Sequence, residues 1–371
     1  MGYKFDCRHF TGYKPCRFAR PCDGCDRYEV PGRRIAIISL EALGAVLRST
    51  VLLPPLRRRH PDAHITWITL ANAVPLLRNN PMIDDLIIVE DKQQALLQYL
   101  SFDELLVVDK SRQAGALAMM MKAAEKRGFG LNEQGVIYPL TEEASYQFDV
   151  GLDDDLKFYR NEKPETRMVT ESMGLRWERD PYVLQLTETE KEEVARRRDN
   201  LVGEARGVIG YSTGCSVLYP YKKFTVPFSI ELIRKWRHHF PDYVVALMGG
   251  REDQERNAAM KDAFADDPLV VSTPCDQGLR SGLMWMDTAD VILSGCSLGL
   301  HIAIALQKPL LTWFGVSCAQ EIDLYDRGVK LKAAVSCSPC WKKSCSQEPK
   351  CYDEVSMEEL VDGTARVLQM I

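Results

Sequence analysis

Short apolar runs alternate with amphipathic stretches along most of the chain, and this alternation restricts the fold more than any other feature. In the first half, strands are predicted at 33–39, 64–69, 86–89 and 105–109, with helical spacing at 44–59, 71–78, 92–100 and 111–126. In the second half, strands are predicted at 207–211, 243–248, 269–271, 289–293 and 309–314, with helices at 228–239 and 251–265. Such alternation indicates an α/β fold with two doubly wound, mainly parallel sheets.

The length of 371 residues exceeds the usual size of one hydrophobic core, so two domains are expected. We predict a cysteine-rich arm at 1–32, a Rossmann-like domain at 33–165, a linker region at 166–206, and a second Rossmann-like domain at 207–355. The polar stretch 141–206 is expected to contain one solvated helix. The final segment, 356–371, is predicted to be a helix that packs back on the first domain.

The run from Ile292 to Gly315 carries the strongest functional signal, because a buried strand meets a Gly/Ser turn that opens a helix. The first N–H groups of a helix lack internal partners and carry the positive end of the helix dipole. Gly295 and Gly299 would let a diphosphate approach these groups. An ordinary βα connection without a ligand is the alternative. The candidate binding residues of this turn are Gly295, Cys296, Ser297, Leu298, Gly299 and His301.

Two more loops follow strands of the same half, where ligands of parallel sheets bind. Thr213 and Gly214, with Lys222 or Lys223, would offer hydroxyl, backbone and ammonium donors to a phosphate, and Glu252 could bind ribose hydroxyls. Each feature alone is common at a protein surface. Three such loops in one domain favour a nucleoside-diphosphate site.

Eight of the twelve cysteines form two groups, each with one CxxC pair. Four thiolates suit tetrahedral zinc, mononuclear iron or an iron–sulfur cluster, so structural metal is predicted at both groups. Free or redox-active thiols in surface loops are the alternative, because the spacings follow no fixed zinc-finger formula. The candidate ligands are Cys7, Cys16, Cys22 and Cys25 at the front and Cys337, Cys340, Cys345 and Cys351 near the end.

The net charge and the hydropathy pattern limit the kinds of molecule that the chain is expected to bind. The net charge of −5 gives no global reason to bind nucleic acid, and the run from Arg57 to His60 closes an apolar helix, where cations suit the negative helix end. Contact of this run with a membrane surface is kept as an alternative. The N-terminus lacks the apolar core of a signal peptide and no segment is apolar enough to span a bilayer, so a cytoplasmic location is expected.

Two motifs resemble glycosyltransferase family 9, the heptosyltransferase family. Residues 42–50 followed by 61–67 are similar to the first βα unit of that family, and 296–306 with 313–315 are similar to its donor-binding signature. The resemblance implies a GT-B fold, with a sugar acceptor on the first domain and a nucleotide sugar, often ADP-heptose, on the second. It also implies inversion at the anomeric carbon without a catalytic divalent metal, and it supports metal at the C-terminal cysteine group, since some branches of the family carry comparable cysteines.

Two positions depart from the family pattern. The family's base is usually an aspartate directly after the Leu-Gly of the first turn, where this chain has Ala45, and the donor motif usually opens with aspartate, where this chain has Cys296. Another carboxylate must then take the proton of the acceptor. Glu41, before the same turn, and Asp109, at a strand end, are the candidate general bases.

Three functions follow as hypotheses. The first is an inverting glycosyltransferase that acts on a glycan or protein acceptor, for example in cell-surface glycan assembly, as a monomer or a homo-oligomer. The second, favoured by Ala45 and Cys296, is a catalytically impaired relative that acts as a nucleotide-binding or scaffolding subunit. The third is a redox or metal–sulfur enzyme that uses the cysteine groups.

Overall fold

The computed structural model describes residues 2–12, 16 and 18–371. Within them lie two six-stranded sheets, with strand orders β3-β2-β1-β4-β5-β6 and β12-β11-β10-β7-β8-β9. The strands are β1 (Arg34–Ile38), β2 (His64–Thr69), β3 (Asp85–Ile88), β4 (Ser101–Val107), β5 (Lys122–Leu131), β6 (Ile137–Pro139), β7 (Gly207–Ser212), β8 (Tyr243–Met248), β9 (Val270–Ser272), β10 (Val291–Gly295), β11 (Leu310–Phe314) and β12 (Gly328–Lys332).

Helices cover both sheets. They are α1 (Leu43–Ser49), α2 (Leu53–Arg59), α3 (Val74–Leu77), α4 (Asp91–Tyr99), α5 (Arg112–Met120), α6 (Ser145–Val150), α7 (Glu165–Ser172), α8 (Glu188–Val202), α9 (Val226–His239), α10 (Gln254–Asp262), α11 (Leu279–Asp287), α12 (Leu298–Ala305) and α13 (Met357–Leu368). Short 3-10 turns lie at Thr50–Leu52, Ala71–Ala73, Glu142–Ala144, Pro220–Lys222, Arg251–Asp253 and Ala319–Glu321, and a π-helical turn lies at Leu156–Arg160.

The two sheets share one topology. In the described part of the chain, nine of the ten strand pairings are parallel and β5–β6 is antiparallel. In each sheet the chain starts at a central strand, builds outward to one edge, and then returns to build the other edge. The order therefore reverses between β1 and β4 in the first sheet and between β7 and β10 in the second, and such a switch point leaves a ligand crevice beyond the carboxyl ends of the strands.

The helix predicted at 111–126 is wrong in its second part. Helix α5 ends at Met120, and Lys122 begins strand β5, which pairs in parallel with β4. Gly128 in β5 has φ +90°, and a Cβ there would lie 2.1 Å from the carbonyl oxygen of Val107. The local sequence has helical spacing, but pairing with a distant strand overrides it.

The stretch 141–206 holds more structure than the single solvated helix that was predicted. Helices α6 and α7 precede α8, and Met168, Val169 and Thr170 of α7 are buried. Helix α7 packs against α1 and α6 of the first half. Only α8, with Val194 as its buried residue, matches the expected solvated helix. The charged sequence around these helices concealed their short apolar faces.

The C-terminal helix does not pack as predicted. Helix α13 contacts α9 and strands β10, β11 and β12 of the second half. Leu360 and Val367 join the apolar cluster of that half, the Trp236 indole N–H donates to Thr364 at 3.0 Å, and a Cβ at Gly363 would lie 2.7 Å from Leu311. The strong apolar face of this helix is thus used to complete the second core.

The two halves meet through α1 and α12. Val46 and Leu47 of α1 belong to the same buried apolar cluster as Leu300 and Ile302 of α12. This contact sets the carboxyl edges of the two sheets against each other, so that residues from both halves surround the crevices.

Candidate functional site

A cavity of about 370 Å³ lies at the switch point of the second sheet. Its walls come from the loops after β7, β8, β9 and β10 and from α11, with two residues from the first half. The lining residues include Leu43, Asn72, Ser212, Gly214, Cys215, Ser216, Met248, Gly249, Gly250, Arg251, Glu252, Asp253, Thr273, Pro274, Cys275, Asp276, Gly278, Leu279, Gly282, Trp285, Met286, Ser297, Leu298, Gly299 and Ile302.

Two glycines let the backbone crowd together at this cavity. A Cβ at Gly214 would lie 2.0 Å from Oδ2 of Asp253, and a Cβ at Gly299 would lie 2.1 Å from Oγ of Ser212. Helix α12 starts directly after Ser297, whose side chain makes no capping hydrogen bond to the first turn. The first amides of α12 therefore keep their capacity to donate to an anion.

Two of the predicted binding residues already have partners. The Thr213 hydroxyl donates to Oδ1 of Asn257 at 2.6 Å, and the residue is buried. The His301 ring lies between the halves, where its Nδ1 is 3.1 Å from the Tyr182 hydroxyl. Burial, together with the nearby charges of Arg48 and Lys222, lowers the pKa of His301 to about 3, so the ring is neutral at physiological pH.

The predicted lysines and the first part of the turn lie beside the cavity. Among the described residues, the lining does not include Lys222, Lys223, Gly295 or Cys296. The Lys222 ammonium lies 4.0 Å from the ring centre of Trp341, and a Cβ at Gly295 would lie 2.1 Å from the Lys222 carbonyl oxygen. Burial raises the pKa of the Cys296 thiol, and the positive charge of Lys222 partly opposes this rise.

A second cavity of about 190 Å³ lies at the switch point of the first sheet. It is lined by residues of the first half and by one residue of the second half, Glu321. The lining residues are Glu41, Ala45, Arg48, Val108, Asp109, Lys110, Ser111, Gln147, Val150, Gly151, Lys157, Glu165, Met168, Val169 and Glu321. Both predicted bases, Glu41 and Asp109, are among them.

The Asp109 carboxylate holds the turn after β1. Its Oδ2 accepts from the backbone N–H groups of Leu40 at 2.5 Å and Glu41 at 3.2 Å, and Oδ1 lies 3.4 Å from the Ser39 hydroxyl. Burial raises the pKa of Asp109 to about 6, although these three donors oppose the change. Asp109 is 7% exposed. Its oxygens are thus largely occupied in fixing the backbone.

Several charged side chains line the second cavity together with Asp109. Arg48 of α1 forms an ion pair with Glu165, and Lys157 lies 3.7 Å from Oε1 of Glu321. Burial and the neighbouring charge of Glu165 raise the pKa of Glu321 well above its usual value. Burial, followed by repulsion from Lys157, lowers the pKa of Lys110 to about 8. Cations and carboxylates of this kind can exchange protons near neutral pH.

Sequence reasoning missed several of these residues. Trp285 and Met286 line the first cavity from α11, where their spacing indicates only a helix. Glu321 and Arg48 reach the second cavity from segments 273 positions apart, so no local pattern joins them. The one available signal was that a loop following β11 must end at the same sheet edge as the donor turn.

The two cysteine groups each gather in space. Cys7, Cys16, Cys22 and Cys25 line one shallow cavity of the arm. At the other end, burial and the nearby Cys340, Cys345 and Cys337 thiols raise the pKa of Cys351 to about 11. Within the described part of the chain, however, no set of three or more His, Cys, Asp or Glu side chains is arranged to hold a metal ion. The predicted metal sites therefore stay predictions.

The arginines of the run before Pro61 are engaged within the protein. Arg57 donates to Asp84 at 2.8 Å, and Arg58 donates to both carboxylate oxygens of Asp180. Of the helices in the described residues, none is long and apolar enough to cross a membrane. Contact with a membrane surface stays untested.

Comparison with known proteins finds several that are similar to this chain in sequence or in structure. No protein-family model matches the chain. Lipopolysaccharide heptosyltransferase 1 of Campylobacter coli is 23% identical over 309 residues, which cover 76% of this chain and 84% of that protein. A glycosyltransferase family 9 structure from Veillonella parvula has a TM-score of 0.70 and 17% identity, covering 92% of this chain and 99% of the other.

The ADP-heptose lipopolysaccharide heptosyltransferase II of Escherichia coli has a TM-score of 0.67 and 19% identity, covering 91% of this chain and 99% of the other. The predicted α/β architecture of two facing Rossmann-like halves, the GT-B fold, is thus confirmed. The chain is thus similar in sequence to a heptosyltransferase and similar in fold to a glycosyltransferase family 9 structure, in agreement with the resemblance of its motifs.

Proposed function

We propose that the protein is an inverting glycosyltransferase that moves a heptose-like sugar from a nucleoside-diphosphate donor to a hydroxyl of a glycan or protein. The observation that carries this proposal is the 370 Å³ cavity at the switch point between β7 and β10. Similarity to heptosyltransferases, one of them named for ADP-heptose, supports an ADP-heptose-like donor.

The diphosphate is placed at the N-terminus of α12. Gly299 and Ser297 line the cavity there, and Gly214 approaches from the loop after β7. Backbone amides at this position can bind the bridging and terminal phosphate oxygens, and they need no reorganisation as negative charge develops on the leaving group. This arrangement uses the same loops that the sequence indicated.

The nucleoside is placed against the apolar end of the cavity. Trp285, Met286, Pro274 and Met248 offer surfaces on which a flat base can pack, and Glu252 is available to the ribose hydroxyls. Nε1 of Trp285 is buried and has no hydrogen-bond partner among the residues that the structure describes. A buried donor that lacks a partner costs about 1–3 kcal/mol, and an acceptor on the base or ribose would remove that cost.

The chemistry is a direct displacement. The acceptor oxygen attacks the anomeric carbon from the face opposite the diphosphate, a C–O bond forms as the bond to the phosphate oxygen breaks, and the configuration inverts. A base takes the hydroxyl proton, and the electron pair of the broken bond leaves with the diphosphate. Glu41 and Asp109 are the bases proposed from the sequence, and both line the second cavity.

Calorimetric titration with ADP tests the donor site. Wild-type protein should bind ADP, and Trp285→Ala should weaken binding about 10-fold to 100-fold, since stacking of a base on an aromatic ring contributes about 1–3 kcal/mol. Trp177→Ala is the matched control, because Trp177 is not among the residues that line this cavity and instead packs under Arg167. Absence of binding by ADP and other nucleoside diphosphates would contradict the proposal.

A second candidate function is a nucleotide-binding or scaffolding subunit without transfer activity. Ala45 lines the second cavity where the family usually has its base, and Cys296 opens the donor turn in place of aspartate. The two functions separate in one assay. Incubation with nucleotide sugars and candidate acceptors should release ADP if the protein is an active transferase, whereas ADP binding without release supports the subunit.

A further inference from the structure

Glu321 is the residue of the second half that lines the second cavity, which we call the acceptor cavity because the proposed acceptor would bind there. It ends the short turn Ala319–Glu321, which follows β11, the strand beside the donor strand β10. The side chain is 4% exposed. Glu321 and Ala45, the position where the family's base is missing, line the same cavity.

The loop that carries Glu321 is docked on the first half. The Gln320 side-chain amide donates to the carbonyl oxygens of Lys157 at 3.2 Å and Phe158 at 3.3 Å. The Lys157 ammonium in turn lies 3.7 Å from the Glu321 carboxylate. Backbone and side-chain contacts therefore hold Glu321 against the acceptor side of the crevice.

Among the described residues, three other carboxylates line this cavity and are less suited to remove a proton, and of these Glu41 is exposed to solvent rather than buried. Asp109 accepts two backbone hydrogen bonds and lies beside the Ser39 hydroxyl, so its lone pairs are largely used. Glu165 keeps its negative charge, but its carboxylate is held in an ion pair with the Arg48 guanidinium. Glu321 has a longer contact to one ammonium group. A carboxylate that is buried, weakly paired and beside a second carboxylate is the more basic one.

Cys296 connects Glu321 with the donor cavity. This thiol precedes Ser297, which lines the donor cavity. Burial raises the pKa of Cys296, and the nearby charges of Glu165 and Glu321 add to the rise. Glu321 thus lies near Cys296 of the donor turn, and the next residue of that turn, Ser297, lines the nucleotide cavity. A sugar attached to a diphosphate at α12 would extend from that turn toward the acceptor cavity.

We propose that Glu321 is the general base that removes the proton from the acceptor hydroxyl. It would replace the aspartate that the family usually has at the position of Ala45. The assignment rests on the proposed glycosyl transfer. The hydroxyl proton moves to a Glu321 carboxylate oxygen, the freed oxygen forms the bond to the anomeric carbon, and the diphosphate leaves with the electron pair of the broken bond. Glu165 acts as a positioning residue, because its charge makes the ionised form of Glu321 more basic.

Steady-state kinetics with ADP-heptose and an acceptor mixture test this assignment, together with ADP calorimetry. Glu321→Gln should lower kcat about 100-fold to 10,000-fold, the usual contribution of general base catalysis, with ADP affinity within about 3-fold of wild type. Glu321→Asp should restore part of the rate, because it keeps a carboxylate. Glu255→Gln, an exposed change on α10, is the matched control and should leave kcat unchanged.

The pH profile adds a readout that a structural role would not change. In wild type, kcat should rise with pH as Glu321 loses its proton, and Glu165→Gln should shift this rise to lower pH, because the neighbouring charge that raises the pKa of Glu321 is gone. In Glu321→Gln the rise should disappear.

The outcomes separate the two proposals. A wild-type protein that transfers sugar, with Glu321→Gln retaining more than about a third of kcat, overturns the base assignment alone. A wild-type protein that binds ADP but transfers no sugar to any acceptor overturns the proposed function, and the base assignment falls with it. ADP binding by Glu321→Gln shows that the variant has folded.

Discussion

Gly44 lies against the ring of His301, and this contact joins the two halves. A Cβ at Gly44 would lie 2.6 Å from Cδ2 of His301. The His301 ring is buried and forms a hydrogen bond with the Tyr182 hydroxyl. Because the ring cannot move away freely, Gly44→Ala should destabilise the protein by about 1–3 kcal/mol through overpacking. Thermal unfolding without nucleotide measures the effect.

The control for this substitution is Gly282→Ala in α11. A Cβ at Gly282 would have nothing within 4 Å, so the change should stabilise the protein by about 0.5–1 kcal/mol through higher helix propensity. Equal unfolding temperatures for the two variants would show that the Gly44 contact with His301 carries no steric constraint.

At the same scale, the sequence predicted loops better than individual side chains. Gly214, Glu252 and Gly299 line the larger cavity, in agreement with the pattern of glycines and polar residues after strands. Thr213 and His301 have partners instead, Asn257 and Tyr182. These partners lie 44 and 119 positions away along the chain, and a distant partner of this kind leaves no trace in the local sequence.

Among the elements, α8 and α11 are tied to the first half through Arg280. Its guanidinium binds both carboxylate oxygens of Glu190, at 2.8 and 2.6 Å, and the carbonyl oxygens of Pro75 and Gln185. Glu190 also accepts from the Thr187 N–H, which completes the N-terminal capping box of α8. The Glu190 carboxylate therefore caps the N-terminus of α8 and also binds Arg280 of α11, which in turn contacts Pro75 of the first half.

Glu190→Gln should lower the free energy of unfolding by about 3 kcal/mol at pH 7, because it leaves the buried Arg280 charge without its partner. Hydrogen bonds from Arg280 lower the pKa of Glu190 to about 2. The pair's contribution is therefore complete above about pH 4.5 and is lost as the pH falls through about 2. Chemical denaturation between pH 7 and pH 3 measures both effects.

In the variant, the dependence of stability on pH in the acid range should be shallower than in wild type. Glu188→Gln is the control, since that side chain is 84% exposed and its ion pair with Lys191 lies at the surface, and it should change stability by less than about 0.5 kcal/mol. Identical acid profiles for wild type and Glu190→Gln would contradict the role assigned to this pair.

For the elements in general, spacing predicted strands well and helix ends poorly. Buried strands such as β1, β7 and β10 are continuous apolar runs, as expected where helices cover both faces of a sheet. The strand β5 was hidden, because Lys122, Glu125 and Lys126 give it a polar sequence that resembles the end of α5. Its pairing with β4 depends on tertiary contacts alone.

At the scale of the whole molecule, the repeat of one topology in the two halves was predictable, but the assembly between them was not. Each half shows its own alternation of strands and helices in the sequence. The loop after β11 adds Glu321 to the lining of the second cavity, where it meets Arg48 of α1 and Glu165 of α7 across the junction. Spacing within either half contains no information on this meeting.

The C-terminal cysteine group is connected with the site through Trp341, which lies next to Cys340. The Trp341 ring has the Lys222 ammonium 4.0 Å and the Lys157 ammonium 4.6 Å from its centre. Lys157 is also the partner of Glu321. Four thiolates that bind one metal ion would fix the loop 337–351 and hold Trp341 between the two lysines, because structural metal sites contribute directly to folding.

The metal sites predicted from the sequence are tested by metal analysis of protein purified without oxygen, which should give two metal ions per chain, one for each group of four cysteines. Cys351→Ser should reduce the content to one ion, and it should lower the thermal stability and the rate of sugar transfer, because Trp341 would no longer hold Lys222 and Lys157 in place. Cys318→Ser, a buried cysteine outside both groups, should keep two ions. Metal-free protein with full stability and transfer activity would contradict both the predicted metal sites and their connection with the catalytic side chains.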